Sequence, residues 1–341
     1  MMAVAALAAC SKSDINYDAP AEIGFTPVAK MNTKAAVNTT DYPNKLNMYV
    51  FANAGAADAE NTSSYSEVYF KNACFANKSG EIFGGSPTPY YWPNVKELIF
   101  SGVSDSGNVN ETDGSVPTYA YANNKWEITL KNYAPGVGTD ALGDNDLMWF
   151  PTTIAYGKND VIGEGKTGHI DVTMKHACSW ITINIKGDAT TGAANTTWKV
   201  NSLVINNLSL SGTAVLSETA SWNNLGTANG SFEVFTPSSG TNLTNEYVAL
   251  ENITNNTIVI PQNTTSLTIE YEYVSQPGAG EGGADIVITE EKTIPLAYSG
   301  GTAWQPGVHY TYNITIGTTE ILIEPTATAW DSQTVTPDIA L

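Results

Sequence analysis

The chain has 341 residues, 42% of them apolar, which is enough for a sizeable core and too much for wholesale disorder. Its net charge is −19, from 34 acidic and 15 basic residues, and every basic residue is a lysine. With no arginine and no basic cluster, the chain lacks what a nucleic acid or an anionic headgroup layer needs, and no apolar run reaches the 18 residues of a spanning helix.

In chain order, the first stretch is Met1 to Cys10, an apolar run ending in small residues and followed by Ser11-Lys12-Ser13-Asp14. Leu7-Ala8-Ala9-Cys10 resembles a bacterial lipobox, which implies an exported lipoprotein acylated at Cys10, although the basic residues that usually open such a signal are missing. Residues 11–40 read as a tether carrying one strand, Ile23 to Val28. Strands follow at Leu46–Phe51, Tyr65–Cys74, Glu97–Phe100 and Trp126–Leu130, and a short apolar run at Asp146–Phe150. Gly157 to Gly168 is polar and rich in glycine, so a domain boundary falls there.

Beyond it, Ile170, Val172 and Met174 alternate with polar residues, as do Trp180 to Ile185 and Leu267 to Tyr273. Further strands are read at Trp198–Ile205, Phe232–Phe235, Thr257–Ile260 and Ile286–Ile288. After the turn Gln305-Pro306-Gly307, Tyr310, Tyr312, Ile314 and Ile316 have the period of two that marks a strand with one buried face. A last apolar run, Ile321-Leu322-Ile323, is expected to stop at Pro325. No apolar stripe of helical period persists over three turns. The expectation is an all-β chain of two tandem β-sandwich domains, at 41–165 and 166–318, with a C-terminal tail at 319–341.

Catalytic and metal chemistry find little support. Gly163-Glu164-Gly165-Lys166-Thr167 has the end of a phosphate loop but neither its first glycine nor a strand–loop–helix around it. Asp105 to Gly114 and Asp144-Asn145-Asp146 have the composition of calcium loops; the first has the wrong spacing, and the second suits a turn before a strand. His169, His176 and His309 have no ligand partner at metal spacing, and no nucleophile motif occurs. His176 reads as a core residue. Cys74 and Cys178 allow one disulfide or two buried thiols. Trp126, Trp180, Trp198 and Trp304 sit in or beside strands, where packing is the default and a sugar platform the alternative. The expectation is a non-enzyme with no cofactor and no metal.

Taken together, several pieces resemble the Mfa-like, FimA-related fimbrillins, the lipoprotein pilins of type V pili. They are the lipobox at Cys10, Tyr91-Trp92-Pro93 with Leu98-Ile99-Phe100, Asp146-Leu147-Met148, and Val172 to Ser179. Ile258-Val259-Ile260-Pro261-Gln262, Trp304-x-Pro306-Gly307-x-x-Tyr310-x-Tyr312-x-Ile314 and the late Trp330 complete the set. The resemblance implies two transthyretin-like β-sandwiches and a structural role at the cell surface, anchored by lipid in the outer membrane and supporting adhesion. It also implies assembly with other fimbrillin subunits by strand donation. A protease removes the N-terminal segment with its first strand, and a neighbour's C-terminal strand fills the groove. Maturation in that family resembles cleavage after arginine; here Lys30 and Lys34 are the candidates. Ile321, Leu322 and Ile323 are the candidate donor strand. The alternative is a non-polymerising surface lipoprotein that binds a host glycan or protein.

Overall fold

The computed structural model describes residues 20–29, 47–56, 64–79, 82–105, 118–131, 133, 135, 146–188, 196–237, 239–247, 257–275, 283–317 and 321–329. Among them the fold is all-β apart from one helical turn, α1 (Lys158–Val161). The first body is a ring of β1 (Gly24–Ala29), β2 (Asn47–Ala56), β3 (Glu67–Ser79), β4 (Ile82–Gly85), β5 (Lys96–Asp105), β8 (Met148–Phe150) and β9 (Ile170–His176). Their order, β1-β4-β3-β2-β5-β8-β9, closes because β9 returns to pair with β1. Alternation explains the inward face: in β9, Ile170, Val172, Met174 and His176 are buried, and Asp171 and Thr173 are exposed.

β6 (Thr118–Ala122) and β7 (Lys125–Leu130) form a hairpin, as do β12 (Gly212–Leu216) and β13 (Ala220–Asn223). The two hairpins join edge to edge through β7 and β12 into one sheet, β13-β12-β7-β6. Two further sheets face each other across the largest apolar cluster. One is β16 (Thr257–Val259), β10 (Ser179–Gly187), β19 (Val308–Ile316) and β20 (Ile321–Ala329), in that order. The other is β14 (Gly230–Phe235), β11 (Thr196–Leu208), β17 (Ser266–Ser275) and β18 (Ile286–Pro295), with β15 (Thr241–Leu243) also on β11.

The sheets do not divide at residue 165. β9, placed by that boundary in the C-terminal body, completes the N-terminal ring, and β12 bonds to β7 across it. The physical reason lies in β9's two edges, which are taken by β1 and β8, so its apolar face fills the ring's interior. A third cluster, including Trp126, Tyr133, Trp149, Cys178, Trp180 and Ile258, links the ring, the joined hairpins and the β10 sheet.

Buried polar groups are mostly paired, as burial without a partner is costly. Trp304 Nε1 donates to the Tyr312 hydroxyl (2.8 Å), which donates to the Leu296 carbonyl (2.8 Å). This relay ties the approach to β19 into the core. At the junction, Asp146 and His176 are buried, and the Nδ1–H of His176 donates to a carboxylate oxygen that can only accept.

Candidate functional site: the seam closed by the first strand

The feature that stands apart is β1. Among the described strands it comes first, yet it sits between two strands of a ring whose other described strands begin at Asn47. On one side it runs antiparallel to β4, pairing Gly24 with Gly84 and Phe25 with Phe83. On the other it runs parallel to β9, from Phe25 opposite Ile170 to Ala29 opposite Met174. Ahead of it, Ile23 N donates to the Tyr90 carbonyl (2.8 Å) and Trp92 N donates to the Ala21 carbonyl (2.9 Å).

The side chains explain why the strand sits there. Ile-x-Phe-x-Pro over 23–27 alternates, and Ile23, Phe25 and Pro27 all face inward and are buried. Phe25 meets the edges of Phe75 and Phe100 at 5.0 and 5.2 Å between ring centroids, and Phe150 at 6.0 Å. Gly102 makes room for this cluster: a Cβ there would lie 2.1 Å from Phe150, so only hydrogen lets that ring cross β5. Burying Ile23 and Phe25 stabilises the closed ring by roughly 1.5–3 kcal/mol each. Without β1, β4 and β9 would each present an unpaired edge flanking exposed phenylalanines, a ready template for another strand.

The other end of the chain supplies a contrasting strand. β20 is the outer strand of its sheet, paired along its length to β19 from Ile316 opposite Ile321 to Val308 opposite Ala329. Ile321 and Ile323 rest half-buried on the core cluster, and Leu322 is 52% exposed. The strand does not stop at Pro325. It continues to Ala329, because an outer strand has one edge on which a missing N–H costs nothing. Tyr247 lies across this sheet, its hydroxyl 3.0 Å from Thr315 Oγ1 and donating to Glu324 Oε2 at 3.1 Å. Cys10, Lys30 and Lys34 lie outside the described residues; of the expected site residues, only Ile321, Leu322 and Ile323 are placed.

Neither Cys74 nor Cys178 is in a disulfide. Burial, then the nearby Asp146 carboxylate, push the Cys178 thiol well up, so it stays protonated and unreactive. His309 stacks on Trp180 with centroids 3.7 Å apart, and its Nε2 lies 2.8 Å from Thr182 Oγ1. Burial lowers its pKa to about 4, which keeps it neutral near pH 7. Trp126, Trp180, Trp198 and Trp304 are buried, which answers the sugar-platform alternative for those four. The glycine-rich stretch at 163–167 leads into β9, not into a helix. A surface cleft of about 490 Å³ between Asn207, Leu225, Gln262 and Thr264 is lined by uncharged groups among the described residues.

Among the described residues, then, the fold is all-β, with β1 completing a ring of strands and β20 lying outermost in another sheet. The chain belongs to the fimbrillin-like family, whose model matches residues 33–330. It is similar in fold to a fimbrial protein from Bacteroides vulgatus, at 18% identity and TM-score 0.58, over 91% of this chain and 99% of that one. It is also similar to a candidate cell adhesion protein from Parabacteroides distasonis, at 11% identity and TM-score 0.50, over 91% and 97%. No curated protein matches the chain.

Proposed function

We propose that this protein is a structural or accessory subunit of a fimbria, exported as a lipoprotein acylated at Cys10 and assembled by strand donation at the cell surface. Membership of the fimbrillin-like family supports a pilus or adhesion role. The observation that carries the finer reading is the placement of β1. Its inner side chains are fully buried, yet its only covalent tie to the ring is the 30–46 segment, which holds both Lys30 and Lys34. Cleavage there would free β1 and open the β4/β9 seam. A neighbour's β20, leaving its outer position on β19, would refill it by β-augmentation. Each subunit then gives at one end and receives at the other, and such a head-to-tail contact builds an open filament.

Chains beginning at Met31 are expected to form a ladder of polymers on an unboiled denaturing gel. The same chains lacking 319–341 are expected to run as folded monomers. Polymers forming normally without 319–341 would overturn the reading.

A further inference from the structure

The two strands at the ends of the chain share a pattern. β1 with its preceding residue reads Ile23-Gly24-Phe25-Thr26-Pro27, and β20 opens Ile321-Leu322-Ile323-Glu324-Pro325. Both are Ile-x-apolar-x-Pro in the same direction; Ile23, Phe25 and Pro27 are buried, and Ile321, Ile323 and Pro325 are less exposed than Leu322 and Glu324 between them. We infer that β20 is a copy of β1 in register and that, in a neighbouring subunit's seam, Ile321, Ile323 and Pro325 occupy the places of Ile23, Phe25 and Pro27. The inference rests on the proposed strand donation and adds to it the direction, the register and the residues that select the partner.

Three observations support this register. In it the donor runs parallel to β9 and antiparallel to β4, as β1 does. Pro325 takes the place of Pro27, a position where the seam already accommodates a residue without an N–H. Leu322 takes the place of Gly24, where a Cβ would lie 3.5 Å from His169 Cβ, 3.5 Å from the Phe83 carbonyl and 3.6 Å from Ile82 Cγ2, all ordinary contact distances. The seam therefore admits a Cβ where β1 has glycine. A slip of one residue would turn Leu322 and Glu324 into the core, where burying the Glu324 carboxylate is costly. A slip of two would move Pro325 away from the one place where β1 carries proline.

The register also explains why β20 would leave home. In its own sheet Ile321 and Ile323 are only half-buried and β19 pairs with one edge of the strand, whereas the residues they replace in the seam are 0% exposed, with partners on both edges. Two features moderate the exchange. Ile323 is smaller than Phe25, and Glu324 comes to lie beside Asp171, which faces Thr26 in the intact chain.

The register is tested by cysteine pairs in filaments harvested from cells expressing the full-length chain. A Gly24 Cβ lies within disulfide range of His169 Cβ, so His169→Cys with Leu322→Cys is expected to link subunits into a ladder that reduction collapses. Each single variant serves as the control for Cys74. Growth under reducing conditions shows whether the pair disturbs folding or assembly. A ladder from His169→Cys with Glu324→Cys instead, and none from the first pair, would overturn the register while leaving donation standing. Filaments without a subunit cross-link from either pair would overturn the register and donation into this seam together.

Discussion

Replacing Phe25 with alanine is expected to destabilise the unprocessed chain by about 3–5 kcal/mol, the usual cost of removing a fully buried phenylalanine. The ring is 0% exposed and has three phenylalanine neighbours, two of them edge-on. Edge-on aromatic pairs add roughly 0.5–1.5 kcal/mol beyond area burial. The site is also poorly placed to collapse, because Phe100 and Phe150 lie on β5 and β8, strands held by pairing on both edges. A urea titration of the full chain measures the effect, with Val95→Ala as the reference at a position 82% exposed, where a change within about 0.5 kcal/mol is expected. A loss below about 1 kcal/mol for Phe25→Ala would mean that β1 does not hold the ring closed.

Asp146→Ala is expected to cost a similar amount, about 3–5 kcal/mol, for a different reason. Asp146 is 0% exposed and His176 5%, and the substitution strips a buried imidazole of its carboxylate. The pair sits where the chain enters β8 and where β9 ends, with Met148 opposite His176, so it fixes two strands of the ring to the junction cluster. Replacing both partners with apolar residues, Asp146→Leu with His176→Met, is expected to restore much of the loss, since the penalty comes from orphaning a polar group more than from losing the contact. A double variant no better than the single would assign the cost to packing instead.

Much of this was legible from residue order. The alternation of Tyr310, Tyr312, Ile314 and Ile316 predicts β19, and the observed strand buries those four residues. The strand expected at Ile23–Val28 appears as Gly24–Ala29. What the sequence could not show is pairing between distant segments. β4 is four residues, Ile82-Phe83-Gly84-Gly85, too short and glycine-rich to register as a strand, yet it forms one wall of the seam. β6, β12 and β13 are hard to read for a similar reason, since runs of four or five residues give period-two alternation too few repeats to stand out. Apolar alternation places His176 inside but does not name Asp146, 30 residues earlier, as its partner. Pro325 misled because proline marks the end of a central strand but not of an outer one.

Strand donation requires the seam to be emptied at one end of the chain and refilled from the other. Hydrogen–deuterium exchange on the amides of 82–85 and 170–174 tests this most directly. In the full-length monomer these amides should be protected by β1. In chains lacking both 1–30 and 319–341 they should exchange fast, and a synthetic peptide of residues 319–329 should restore their protection. Slow exchange after β1 is removed, or fast exchange that the peptide leaves unchanged, would contradict it.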